Sequence, residues 1–173
     1  MDDPRLTPAR PDLAAKYLEG KIEAARFAAG RVFEISDALA PLRSEPSSDA
    51  TLLTQALKGE RVTIYDCNGE GFAWGQLNSD GYVGWLPDRA LAKPTDKPTH
   101  KITGLRTFAF AGPSIKLPPV DTLVMGAMIT VLREQDAFAV TREGWYLPRQ
   151  HIGGIDRHAE DFVTVAEQFA GTP

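Results

Sequence analysis

Few residues in this 173-residue chain have the chemistry of a reactive or ligand-holding site: one cysteine, three histidines, and a set of tryptophans and tyrosines. Cys67 lies in Asp66-Cys67-Asn68-Gly69-Glu70-Gly71, directly ahead of Phe72-Ala73-Trp74. A cysteine nucleophile reacts as its thiolate, which needs a helix N-terminus or a nearby cation such as histidine. Asn68-Gly69 instead marks a tight turn between strands, so no helix starts at Cys67. Asp66 and Glu70 would also oppose a negative sulfur. The expectation is an incidental thiol at a hairpin tip. A lone cysteine allows neither an internal disulfide nor a cysteine-based zinc site. His100, His151 and His158 lack metal-ligand spacing, since His151 and His158 are seven positions apart with Gly153-Gly154 between them. They read as surface or interface histidines. With no paired nucleophile and base, no metal cluster and no phosphate-cradling loop, neither a catalytic residue nor a cofactor is expected in the chain itself.

The aromatic residues admit two readings. Trp74, Trp85 and Trp145, with Tyr65, Tyr82 and Tyr146, are the residue types that line grooves for extended peptides. Alternatively, they are strand residues that pack a core or an interface. Which reading holds depends on the elements that carry them.

Those elements read as short strands. Glu60-Arg61-Val62-Thr63-Ile64-Tyr65 alternates polar and apolar as a half-buried strand does. Phe72 to Leu77 and Tyr82 to Pro87 are two more strands, separated by the turn signal Asp80-Gly81. Pro87 should end the last, because it has no N–H to give a ladder. Upstream, Pro11 to Leu18 reads as a short helix, and Gly20 and Gly30 lead into a first strand, Val32-Phe33-Glu34-Ile35. A second unit follows the same grammar with little identity. Leu42-Arg43 returns as Leu105-Arg106, Phe72-Ala73 as Phe138-Ala139, and Gly84-Trp85-Leu86-Pro87 as Gly144-Trp145-Tyr146-Leu147-Pro148. Phe108, Phe110, Leu117 and Val120 would line a long loop of that unit or its junction with the first. The expected fold class is therefore all-β, with two small SH3-like barrels in tandem, a short N-terminal helical segment and a C-terminal helix. The expected domains are an N-terminal extension over 1–30, a first barrel over 31–93, a linker over 94–99, a second barrel over 100–156, and a linker with a helix over 157–173.

Composition bounds the function. The chain is 43% hydrophobic and 24% charged, as globular proteins are. No stretch approaches the roughly 18 apolar residues of a spanning helix, so no membrane partner is expected. Net charge is −4, with 12 basic against 15 acidic residues through position 98 and 7 against 8 after it. Neither part has the basic excess that nucleic-acid binding leaves. The acidic, proline-bearing start, Met1-Asp2-Asp3-Pro4, lacks a basic and apolar signal pattern, and the expected location is cytoplasmic. At the other end, Phe162, Val165, Ala166 and Phe169 share one helical face behind Asp161, a helix expected to pack on a partner beyond Pro173.

Four stretches carry a resemblance to a known family. Leu6-Thr7-Pro8-Ala9-Arg10-Pro11-Asp12-Leu13, Thr54-Gln55-Ala56-Leu57-Lys58-Gly59-Glu60, Asp80-Gly81-Tyr82-Val83-Gly84-Trp85-Leu86-Pro87 and Pro98-Thr99-His100 resemble the tandem bacterial SH3 region that precedes an NlpC-type papain-like cysteine peptidase domain. The resemblance spans essentially the whole chain. It implies that the last helix opens the peptidase domain, whose catalytic cysteine sits in a later Asp-Cys-Ser-Gly motif absent here. Asp66-Cys67-Asn68-Gly69 imitates that motif only in letters. In cytoplasmic relatives of this kind, which cleave γ-D-glutamyl bonds, a tyrosine and an acid of the first SH3-like domain hold the free amine of the substrate's L-alanine. The resemblance places Tyr82 at that tyrosine and Glu45 or Asp49 at the acid. Trp85 joins them as a substrate-binding candidate.

The resemblance therefore implies a non-catalytic region that shapes the cleft of a downstream cysteine peptidase. Its expected partners are that peptidase domain and a muropeptide with a free N-terminal L-alanine. A second reading is a free-standing module that binds wall peptides or a protein through its aromatics. It predicts measurable affinity of the isolated chain for muropeptide fragments.

Overall fold

In the computed structural model, residues 3–172 are described, and Met1, Asp2 and Pro173, at the ends of the sequence reading, lie outside them. The fold is mostly β. The chain divides into two compact units, Met1–Thr95 and Asp96–Pro173.

The first unit opens with two short paired strands, β1 (Ala14–Ala15) and β2 (Phe27–Ala28), which run parallel. Of the helix expected over Pro11 to Leu18, only a single 3-10 turn forms, at Lys16–Leu18. The reason lies in the backbone hydrogen bonds. Ala14 N–H donates to Arg26 C=O at 3.0 Å and Ala15 N–H to Pro8 C=O at 2.9 Å, so these donors point to other segments and not back along a helix. The remaining strands are β3 (Arg31–Ile35), β4 (Leu39–Arg43), β5 (Leu52–Leu57), β6 (Arg61–Cys67), β7 (Phe72–Leu77), β8 (Val83–Pro87) and β9 (Leu91–Ala92). They form one seven-stranded sheet in the order β5-β4-β8-β7-β6-β3-β9.

The strand and turn signals correspond closely to this sheet. Gly69 and Gly81 take φ of 75° and 80° at the two turns. Asn68 Oδ1 accepts the N–H groups of Glu70 and Phe72, closing the β6–β7 hairpin. Two glycines let strands approach closely. A Cβ on Gly84 would stand 2.7 Å from the Arg43 carbonyl, and one on Gly75 2.5 Å from that of Thr63.

The expected closure into barrels is not made by the ladders, because the edge strands β5 and β9 do not pair with each other. β9 has two residues, and Pro94 beyond it has no N–H to extend a ladder. The β4–β8 junction narrows to one pair, Arg43↔Trp85, with a register shift beside it at Leu42/Arg43. Such irregularities bend a sheet without sealing it. Ile35, Leu42, Val62, Ile64, Leu77 and Leu86 fill the core on one face.

The second unit has β10 (His100–Ile102), β11 (Arg106–Phe110), β12 (Pro119–Val124), β13 (Met128–Ile129), β14 (Val131–Gln135), β15 (Phe138–Thr141), β16 (Tyr146–Pro148) and β17 (Ile152–Gly154). They form a five-stranded sheet, β12-β11-β16-β15-β14, and a three-stranded one, β13-β10-β17. Only Thr130 separates β13 from β14, so one run of chain serves both sheets. Its buried side chains include Ile102, Leu123, Ile129, Val140 and Leu147. Phe110 is buried, whereas Phe108, Leu117 and Val120 are exposed around the β11–β12 loop. One helix, α1 (Phe162–Glu167), follows. The Asp161 side chain caps it by accepting from Val163 and Thr164 N–H, and none of its residues is buried.

Candidate functional site

Strand alternation decides what β8 offers on each side. Tyr82, just ahead of the strand, is half-buried against the cluster of Ile35, Leu42 and Leu86. Val83 and Trp85 belong to a different cluster, with Leu13, Trp74, Tyr65 and Ala28. Tyr82 and Trp85 are thus not brought together. Glu45 and Asp49 stand exposed in the loop between β4 and β5. The root of that loop is held by Arg43, whose Nη1 donates to the Ala50 carbonyl at 2.6 Å, and Arg43 is also the residue paired with Trp85. Among the described residues, the Tyr82 hydroxyl and the carboxylates of Glu45 and Asp49 make no hydrogen bond or ion pair. The Tyr82 backbone is fixed by Asp80, whose Oδ1 accepts its N–H at 3.0 Å. Of the four residues, then, the structure associates Trp85 with the root of the acidic loop, and leaves the Tyr82 phenol on the other cluster.

The most constructed feature was not singled out by the sequence. Residues 5–13 lie over the Trp74 and Trp85 side of the first sheet. The Arg10 guanidinium stands 4.5 Å from the centre of the Trp74 ring and 4.9 Å from that of Trp85. Its Nη2 reaches Asp66 at 2.7 Å and Asp12 at 2.8 Å, and Arg26 adds a second ion pair to Asp66 at 3.1 Å. A cation over an aromatic face contributes about 0.5–2 kcal/mol, more as water is excluded. Here the Arg10 side chain keeps only 19% of its exposure and Trp74 only 3%. Gln76 Nε2 donates to the Leu6 carbonyl at 2.9 Å, and Val83 N–H to that of Arg5 at 2.8 Å. Leu13, wholly buried, anchors the end of the segment. The only local hint was Pro8-Ala9-Arg10-Pro11, an arginine between prolines. Its partners lie far along the chain, where spacing rules give no signal.

The charges around this clamp follow from its contacts. Burial alone would raise the Asp66 carboxyl, but hydrogen bonds from Arg10 and Arg26, together with their positive charge, outweigh it and hold the group below its ordinary value. Burial beside Trp74, with a smaller effect from Tyr17, pushes the Tyr65 phenol up to about 12. Cys67 is the last residue of β6 and exposed. Partial burial of its sulfur, then the negative charges of Asp66 and Asp88, push its thiol up, opposite to what a nucleophile needs. His100 and His151 each share a 2.8 Å hydrogen bond with a threonine hydroxyl, of Thr99 and Thr107, and Lys101 Nζ donates to His158 Nδ1 at 3.3 Å. Among the described residues, no group of three or more His, Cys, Asp or Glu is placed to hold a metal ion.

Residues 42–91 match the family of the bacterial dipeptidyl-peptidase Sh3 domain. The match runs from β4 to the start of β9 and contains Glu45, Asp49, Tyr82 and Trp85. No curated protein matches the chain. Among solved structures, the fold is similar to that of an NlpC/P60 family protein from Bacillus cereus, at 19% identity and a TM-score of 0.63, covering 80% of this chain. The chain spans 63% of the length of that protein. NlpC2 and NlpC1 from Trichomonas vaginalis are also matched. NlpC2 is 12% identical, with 74% of this chain and 49% of that one covered, and NlpC1 is 13% identical, with 88% and 50% covered. Both have a TM-score of 0.33.

Proposed function

We propose that this chain is a non-catalytic, tandem SH3-like region of a peptidoglycan-peptide hydrolase, which restricts the substrate cleft of a downstream cysteine peptidase. The observation that carries the reading is the bacterial dipeptidyl-peptidase Sh3 match over residues 42–91. The likeness of fold to the NlpC/P60 protein of Bacillus cereus supports it. The second unit supports the tandem part, because its pairings run β12-β11-β16-β15-β14 and then, across Thr130, β13-β10-β17. Taken in chain order, this is the same succession as in the first sheet. In this reading the SH3-like units span about 31–93 and 100–156, and α1 is the first helix of the peptidase domain. The cleft would select a muropeptide with a free N-terminal L-alanine, and the setting would be recycling of such peptides in the cytoplasm.

The setting of Cys67, at a hairpin and with its thiol pushed up, favours a nucleophile elsewhere in the parent protein. The Tyr82 hydroxyl supplies a neutral acceptor and Glu45 or Asp49 a carboxylate, which together suit an ammonium group. The reading of a free-standing module with an aromatic groove is weakened, because Arg10 already covers Trp74 and Trp85. Sequencing the parent gene past codon 173 tests the proposal: an Asp-Cys-Ser-Gly motif followed by two histidines is expected, and its absence removes the peptidase half. In that full-length protein, Tyr82→Phe should raise KM for L-alanyl-γ-D-glutamyl-diaminopimelate about tenfold with little change in folding, the scale of one charge-assisted hydrogen bond lost. An unchanged KM would remove Tyr82 from the site.

A further inference from the structure

We propose that the Trp74–Trp85 side of the first unit is a peptide-binding site, occupied in cis by residues 5–13, whose ligand class is a segment with one arginine between prolines that turns back at Pro11-Asp12, where Arg10 and Leu13 exchange backbone hydrogen bonds. Three independent kinds of contact converge on that segment. The first reads backbone: Val83 N–H and the Gln76 amide donate to the carbonyls of Arg5 and Leu6. The second reads a guanidinium. Arg10 lies within cation–π distance of both indoles while its Nη2 reaches Asp66. A planar, forked cation can meet two ring faces and a carboxylate together, which the point charge of lysine cannot. The third is apolar, the seating of Leu13 among Trp74 and Val83 with no exposure.

The segment is also shaped as a ligand. Thr7 and Arg10 precede prolines, which biases both toward extended backbone before binding. Less conformational freedom is then lost on docking. The segment runs on through β1 and the Lys16–Leu18 turn, where Ala14, Ala15 and Leu18 are buried, to an exposed turn at Glu19, Gly20 and Lys21, where Gly20 has φ of +78° and open space around it. A tether of this length holds the segment at an effective concentration on the order of millimolar. The site therefore stays filled in the intact chain, and would accept the same chemistry from another chain only when the tether is cut or the segment withdrawn. This inference stands on the first unit alone and does not depend on the peptidase reading.

The test converts the cis contact into a binding equilibrium. A specific protease recognition sequence is inserted after Gly20 in the full chain, the folded protein is cut, and a fluorescein-labelled synthetic peptide of residues 3–20 is added. The expected result is a cut chain that keeps its cooperative melt, and saturable exchange of the peptide with a dissociation constant on the order of micromolar. Peptides with Arg10→Lys or Arg10→Ala should bind at least about tenfold more weakly. Because the variants are in the peptide, the receptor is the same throughout. The proposal is overturned if the cut chain loses its cooperative transition, if no peptide exchanges, or if the three peptides bind alike.

Discussion

Arg10, Asp66 and Cys67 show how differently neighbouring residues are used. Asp66 and Cys67 adjoin in β6, yet Asp66 turns to the clamp and accepts from Arg10 and Arg26, while the Cys67 sulfur carries no such support. Its thiol is pushed up by burial and by Asp66 and Asp88, so at pH 8 it should be alkylated by iodoacetamide several-fold more slowly than free cysteine. Faster labelling than free cysteine would restore it as a nucleophile. The hairpin setting of Cys67 was legible in the sequence because the turn residues after it are local. The clamp was not, because Arg10 and Asp66 are 56 positions apart.

Among the elements, β8 does most to organise the first unit. Its alternation sends Val83 and Trp85 to the clamp, and Leu86 to the core. Gly84 lets it approach β4 closely. Gly84→Ala would place a methyl group 2.7 Å from a backbone carbonyl and 2.8 Å from Leu42 Cγ. Backbone cannot yield as a flexible side chain does, so a loss of about 2 kcal/mol or more is expected by urea denaturation. A loss below about 0.5 kcal/mol would mean that the strands separate without cost. The strands themselves were readable from alternation and from the Asn68-Gly69 and Asp80-Gly81 turns. The helix expected at Pro11 to Leu18 was not realised, because the Ala14 and Ala15 N–H groups found carbonyl partners in other segments.

For the whole molecule, the clamp ties stability to pH. Asp66 is held below its ordinary value in the fold, whereas the unfolded chain takes up that proton near pH 4. As pH falls through that range the unfolded state binds more protons, so the stabilisation is present above about pH 4 and is lost below it. Asp66→Asn should lower stability at pH 7 by about 1–3 kcal/mol and flatten the acid limb of the Tm–pH profile. An acid limb unchanged by the substitution would show that the ion pairs of Arg10 and Arg26 contribute nothing net. Tyr65, pushed up to about 12, acts at the other extreme, with stability falling only as pH rises from about 10 to 12.

By itself the sequence determined what depends on neighbours a few residues away: the β character, the turns, the position of Cys67 beside a hairpin, and the helix cap at Asp161. Local dihedral preference and side-chain alternation carry that information. Tertiary structure alone decided which partner each strand edge and each aromatic ring would take. It left the ladders open where barrels were expected, put Tyr82 and Trp85 in different clusters, and set Arg10 over two tryptophans. These outcomes depend on contacts between residues far apart in the chain, and only the folded backbone brings such residues within reach.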